Sequence, residues 1–310
     1  MLNIIKKNEQ YVKFCAALDK CEHYQKFLVY KNKVLALGND SLEKTIAIAV
    51  ALCLVCAVLV SFGAVALKPL QAYNKNLDMK KNILEVAGLM KEDTDIDAAF
   101  GEQIEAKLVN LETGEYDDSV NADAYDQRKA TKDPTQSVAI PKDKDIAHIR
   151  HKAKLAKVFL VKDGDKIKSI ILPISGYGLW STLYGFLSLD ADGQTVQSIN
   201  FYDQAETPGL GGEVVNPKWR ALWKGKKVYA ETDQPALDKG SIEEADIGEP
   251  ALALIKGSVD TGKMGAQHQV DGLAGATLTS NGVTNLVRYW MGKEGFARYL
   301  GKVRVKRANS

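Results

Sequence analysis

The apolar positions of this chain change their spacing along its length, and each change predicts a different element. From Thr45 to Leu67 the run TIAIAVALCLVCAVLVSFGAVAL contains no charged residue. About 20 such residues are what a helix needs to cross roughly 30 Å of hydrocarbon, so this run predicts a transmembrane helix. Beyond Lys68-Pro69, NLDMKKNILEVAGLM places Leu77, Ile83, Leu84, Ala87 and Met90 at helical intervals. That spacing predicts a separate amphipathic stalk helix, with the X-Pro step as the boundary before it.

Further on, the pattern shortens. KVFLV and IKSIILPI flank Lys162-Asp163-Gly164-Asp165, and LYGFLSL and TVQSINFY flank Asp190-Ala191-Asp192-Gly193. Apolar runs separated by such turn residues predict consecutive hairpins and therefore an antiparallel sheet. Helical segments near Pro217 to Lys224 and Thr284 to Leu300 flank the sheet, which makes the expected fold class α+β. The polar stretch Asp117 to Asp145 reads as loop or insertion. Trp219 and Trp223, four apart, read as core anchors. The expected organisation is an N-terminal cytoplasmic segment over 1–44, the membrane helix over 45–67, the stalk and first part of the soluble domain over 68–139, and the main domain over 140–310.

Charge sets the orientation. The segment before Thr45 carries eight Lys against five acidic residues, and the whole chain has a formal charge of only +2. The positive-inside rule keeps the basic segment in the cytoplasm and puts the long C-terminal part on the far side of the membrane. Ala64-Val65-Ala66 also suits a signal-peptide cleavage site, but the apolar run exceeds the usual length of about 7–15 residues for such a signal. The near-neutral charge argues against a nucleic-acid partner. All four cysteines, Cys15, Cys21, Cys53 and Cys56, precede Lys68, so the exported part has no thiol for a disulfide.

Several chemistries lack their motifs. Gly209-Leu210-Gly211-Gly212 does not have dinucleotide-fingerprint spacing. His148 and His151 lie in HIRHKAK without carboxylate or thiolate company, which favours a solvated face over a metal site. Cys53-Leu-Val-Cys56 lies inside the membrane run, where two small polarizable residues are the plain reading. The remaining candidate is Asp271-Gly-Leu-Ala-Gly-Ala-Thr277, directly before a helix in which Val283, Leu286, Val287 and Trp290 form an apolar stripe. Thr279 or Ser280 is the expected N-cap, leaving Thr277 just ahead of a helix N-terminus that favours a phosphate. Gly275 and Ala276 let another molecule approach the backbone. A D-G turn before a capped helix is also ordinary structural grammar.

That stretch resembles the flavinylation motif of the FMN-binding family, in which a Thr hydroxyl carries FMN through a phosphodiester bond. Ser175-Gly-Tyr-Gly-Leu-Trp-Ser181 is similar to the family's Gly-rich turn and aromatic. Glu206-Thr-Pro-Gly-Leu-Gly211 is similar to the loop that lies against the flavin. With one membrane helix and His268-Gln269-Val270-Asp271 upstream, the chain most resembles the branch of that family found in Na⁺-translocating NADH:quinone reductases, from about Asn39 to the C-terminus.

The resemblance implies FMN on Thr277, installed by a separate transferase from FAD with Mg²⁺. It also implies electron relay among the other subunits of a six-subunit membrane complex that oxidises NADH, reduces ubiquinone and exports Na⁺. No catalytic acid or base, no resident metal and no turnover by this chain alone are expected. The cofactor residues it implies are Thr277, Asp271, Gly275, Ala276, Thr279, Ser280, Glu206, Thr207, Gly209, Leu210 and Trp180. Asp271 fits both transferase recognition and a plain Asx turn. Pro208-Gly209 also suits any tight turn, and Trp180 suits either the flavin ring or the core. Alternatives are the flavin subunit of an Rnf-type ferredoxin:NAD⁺ complex and a membrane-anchored module without redox chemistry. Ala274 departs from the Ser or Thr that the family often has, and the segment before Asn39 is longer than is usual in the family, as an over-extended translation start would make it.

Overall fold

The computed structural model describes residues 22–38, 40–164, 166–230 and 249–308. Cys15, Cys21 and half of the basic N-terminal segment lie outside them. The chain divides after Tyr73 into two compact units.

The first unit holds helix α1, Glu22–Ala36, and most of helix α2, Leu42–Val86. This is the one described helix long and apolar enough to cross a membrane. Its apolar side chains from Leu42 to Leu70 are all unburied, which is an arrangement suited to lipid rather than to a core. The break expected at Lys68-Pro69 is absent: Pro69 lies inside α2. A proline removes one backbone hydrogen bond at a cost of about 3 kcal/mol, but helix on both sides of it sustains the geometry, as membrane helices often do.

In the second unit the end of α2 buries Ile83, Leu84 and Val86, and α3, Ile96–Gln103, follows, capped by the Asp95 carboxylate on the Asp97 and Ala98 amides. The main sheet has five strands in the order β1-β4-β5-β6-β7. They span Ile104–Asn110, Leu155–Asp163, Lys166–Tyr177, Thr182–Asp190 and Val196–Asp203. Every neighbouring pair is antiparallel, with β4–β5 and β6–β7 as the expected hairpins. The near-continuous apolar run of β5 has a physical reason, because both faces are covered. Ile171 packs with Phe159, Phe186, Ile83 and Leu84 on one side, while Ile170, Leu172 and Ile174 face the larger core on the other.

The Asp117–Asp145 stretch is mostly turn, with a short helix α4, Gln127–Ala130, and strand β2, Ser137–Ala139, which pairs with β3, His151–Ala153. Ile140 nonetheless enters the larger core. The short helix α5, Pro217–Ala221, carries Trp219, which meets the fully buried Trp223 edge to face. A short parallel pair, β8, Ala253–Ile255, and β9, Gln269–Asp271, precedes α6, Thr277–Met291. The chain ends in α7, Ala297–Ala308. The single C-terminal helical segment expected from the sequence is thus two helices with a turn between them.

Candidate functional site

Helix α6 presses its N-terminal half onto the end of β5. Its stripe of Val283, Leu286, Val287 and Trp290 is buried in the larger core, and the Trp290 indole donates to the Ser175 carbonyl at 2.7 Å. Contact is close at Gly282, where a Cβ would stand 2.5 Å from the Tyr177 carbonyl oxygen. The Gly178–Ser181 turn that follows β5 is thereby set beside the first turn of α6.

A single carboxylate joins these pieces. Glu206 is 4% exposed, and its oxygens accept from the Leu179, Trp180 and Ser181 amides at 3.0–3.2 Å and from the Thr279 hydroxyl at 2.7 Å. Burial on its own would raise this carboxyl. The amides of Trp180, Leu179 and Ser181 and the Thr279 hydroxyl outweigh it and hold Glu206 below the usual carboxylate range. Gly211 closes the other side, since a Cβ there would fall 2.5 Å from Thr279 Oγ1 and 2.8 Å from Glu206 Oε2. The Gly-rich turn, the Glu206–Gly211 loop and the first turn of α6, into which the Asp271–Thr277 stretch leads, therefore meet at Glu206, although its partners are 25 residues or more away in the chain.

Around this joint the hydroxyls take different directions. The helix does not begin after a Thr279 or Ser280 cap, as expected. It begins at Thr277, with Ala276 in the cap position and no side-chain cap bond. Thr279 and Ser280 are buried in the first turn, where Thr279 serves Glu206 and Ser280 Oγ accepts from the Leu273 amide at 3.0 Å. Other partners claim both side chains, which is why neither caps the helix. Thr277 is exposed, with no side-chain hydrogen bond among the described residues, at the residue where the helix leaves its first amides unpaired.

The neighbours of Thr277 leave it open. Gly275 has φ +72, and Leu210 Cδ2 lies 3.0 Å from where a Cβ would be, which brings the Glu206–Gly211 loop against the Asp271–Thr277 loop. Thr207, Gly209 and Leu210 are exposed, with Gly209 at φ +76 in a turn whose Leu210 and Gly212 amides both donate to Thr207 O. Ala276 is buried. Trp180 is 66% exposed, so it is not a core residue. Asp271 works within the chain, its Oδ1 accepting from the Val259 amide at 2.8 Å and its carbonyl from the Trp219 indole at 2.9 Å. His148 and His151 are exposed and share no helix.

These residues fit a phosphorylated planar aromatic group. Thr277 offers a free hydroxyl beside unpaired amides, and Trp180 and Leu210 offer apolar surface nearby. The sequence did not reveal that Glu206 has four internal donors, because its partners lie 25 or more residues away on separate elements.

Comparison with known proteins agrees with this geometry. The FMN-binding domain family matches residues 178–292, which include the Trp180 turn, the Glu206 loop and Thr277. The C subunit of the Na(+)-translocating NADH-quinone reductase of Vibrio alginolyticus is 44% identical over 87% of this chain and 98% of its own length. The protein of the same name from Pseudomonas aeruginosa is 46% identical over 86% and 98%. Among solved structures, Shewanella oneidensis NqrC is 32% identical, with a TM-score of 0.64, over 74% of this chain and 99% of that one.

Proposed function

The chain belongs to the NqrC family, the C subunits of Na(+)-translocating NADH-quinone reductases, and on that footing we propose that it holds FMN covalently on the Thr277 hydroxyl and relays single electrons through it. As a family member it is an FMN-carrying subunit of that multisubunit membrane enzyme. The observation that selects Thr277 is the fate of its neighbours. Of the three hydroxyls in Thr277-Leu278-Thr279-Ser280, two are buried and bonded, and one is exposed and free.

Attachment is a phosphoryl transfer from FAD made by a separate transferase. Thr277 Oγ forms a bond to the FMN phosphorus, the pyrophosphate P–O bond breaks, AMP leaves, and the hydroxyl proton passes to a base on the transferase. Redox state does not change. An exposed hydroxyl on a loop of small residues can enter another protein's active site, which a buried one cannot. Once attached, the phosphate is stabilised by the first amides of α6 and its dipole, without a basic cluster. Trp180 and Leu210 offer the isoalloxazine an apolar surface and exclude water from one side of it. Bound FMN supplies the one-electron chemistry, and the chain supplies position and electrostatics. The excess of lysine before α2 keeps that end in the cytoplasm, lipid surrounds the membrane helix, and the flavin domain lies in the periplasm.

The test is intact mass of the full chain coexpressed with the transferase. Wild type should gain the mass of one FMN less water, Thr279→Val should still gain it, and Thr277→Ala should not. A Thr277→Ala chain that still acquires the flavin mass refutes the assignment.

A further inference from the structure

We propose that Glu206 is a positioning residue: its carboxylate fastens the Leu179–Ser181 turn to the first turn of α6, and its acceptor sites are taken by protein donors rather than by the flavin. The proposal rests on Thr277 being the flavin carrier. It reassigns a residue that the sequence alone placed against the isoalloxazine.

The geometry carries the argument. A carboxylate has about four acceptor sites. Oε1 accepts from Leu179, Trp180 and Ser181, and Oε2 accepts from Leu179 and Thr279. Among the described residues no cation pairs with Glu206, so the backbone amides and one hydroxyl neutralise a buried charge by themselves. Gly211 packs directly on the same oxygen, which leaves no space on that side. The direction of the carboxyl shift agrees, since burial alone would raise Glu206 and these donors hold it below the usual carboxylate range. Trp180 is next to two of the bonded amides, and Thr277 is two residues from the bonded hydroxyl. One carboxylate therefore fixes the distance between the exposed indole and the acceptor oxygen.

The experiment is hydrogen–deuterium exchange on the full chain in detergent, made without the transferase, for wild type, Glu206→Ala, Glu206→Gln and Thr279→Val. Glu206→Ala, which removes all of these bonds, should speed exchange of the 179–181 amides by at least about tenfold, and Thr279→Val, which removes one donor and leaves the amides bonded, by about threefold. The middle of α6 should stay protected in both. Glu206→Gln keeps one acceptor oxygen and a group able to donate to Thr279, so it should restore most of the protection. In chains carrying FMN, flavin emission should change in Glu206→Ala and return toward wild type in Glu206→Gln.

Exchange within about twofold of wild type in Glu206→Ala, less than the loss of one weak hydrogen bond, would overturn the proposal. If Glu206→Ala fails to fold, unchanged exchange in Thr279→Val overturns it. So would a Glu206→Gln chain with altered flavin emission but unaltered exchange, because that is the behaviour of a direct flavin ligand. Failure of wild type to acquire FMN on Thr277 would defeat the function reading and leave the exchange result standing on its own.

Discussion

Gly282→Ala sets two effects of opposite sign against each other. In a helix interior, alanine is favoured over glycine by about 1 kcal/mol, so propensity alone predicts a more stable protein. The structure predicts the reverse. A Cβ at 282 would stand 2.5 Å from the Tyr177 carbonyl oxygen and 3.0 Å from Gly178 Cα, where ordinary contact begins at 3.4 Å. Both obstacles are backbone, so no rotamer change relieves them, and α6 must retreat from β5. That retreat strains the Trp290–Ser175 hydrogen bond and loosens the stripe through Leu286. Overpacking of this kind costs about 1–3 kcal/mol, and set against the propensity gain of about 1 kcal/mol it leaves a net loss of up to about 2 kcal/mol. All four tryptophans, at 180, 219, 223 and 290, lie in the unit that begins at Asn74, so urea unfolding followed by indole emission in detergent reads this domain alone. Asn281→Ala, exposed on the same turn of helix, supplies the control and should gain about 0.5 kcal/mol. If Gly282→Ala raises the urea midpoint as Asn281→Ala does, the close approach of α6 to β5 is wrong.

The two kinds of tryptophan should separate in the same assay. Trp223→Ala, fully buried, should cost about 3–5 kcal/mol, whereas Trp180→Ala should stay within about 0.5 kcal/mol and, in chains carrying FMN, change the flavin emission. Asp271→Ala should free the Val259 amide at a cost of about 1.5–3 kcal/mol, and Asp271→Asn should recover part of it; equal losses in the two variants would show that the oxygen does not anchor that loop. Because the Glu206 carboxyl is lowered in the fold, the stability it provides is complete above the ordinary carboxylate pKa of about 4.3 and is lost as pH falls through the lower folded value. Wild type should therefore lose more of its urea midpoint than Glu206→Gln on acidification below that point, and parallel pH profiles would contradict the shift.

The two hairpins were legible because their signals are local, whereas β1, which joins the sheet by pairing with the distant β4, was not. Each hairpin declares itself through a few turn residues between two apolar runs, although the register within it shifts at Val161/Lys162 in one and at Ser188/Leu189 in the other. The continuity of α2 was not legible, since Pro69 is a local stop signal that the helix on either side of it overrides. The start of α6 misled for a related reason. Thr279 and Ser280 are good caps by residue type, but capping requires a side chain free to turn back on its own helix, and here Glu206 and the Leu273 amide hold both side chains elsewhere.

The same two side chains bear on the chemistry as well as on the helix boundary. A sequence offers three hydroxyls within four residues, and its physical ground for choosing Thr277, a helix capped by Thr279 or Ser280, rests on a boundary that the fold does not have. Resemblance selects one by position in a motif. The fold leaves the same one free, because Thr279 is bonded to Glu206 and Ser280 to the Leu273 amide. The residues that shape the site and the residue proposed to react are thus distinguished by burial rather than by type. Glu206 belongs to the first group despite standing in the loop expected to face the flavin. A carboxylate with unsatisfied acceptor sites beside a flavin would be free to bond it; one satisfied by three amides and a hydroxyl is bound to its own chain, and its influence on electron transfer then runs through the positions of Trp180 and Thr277.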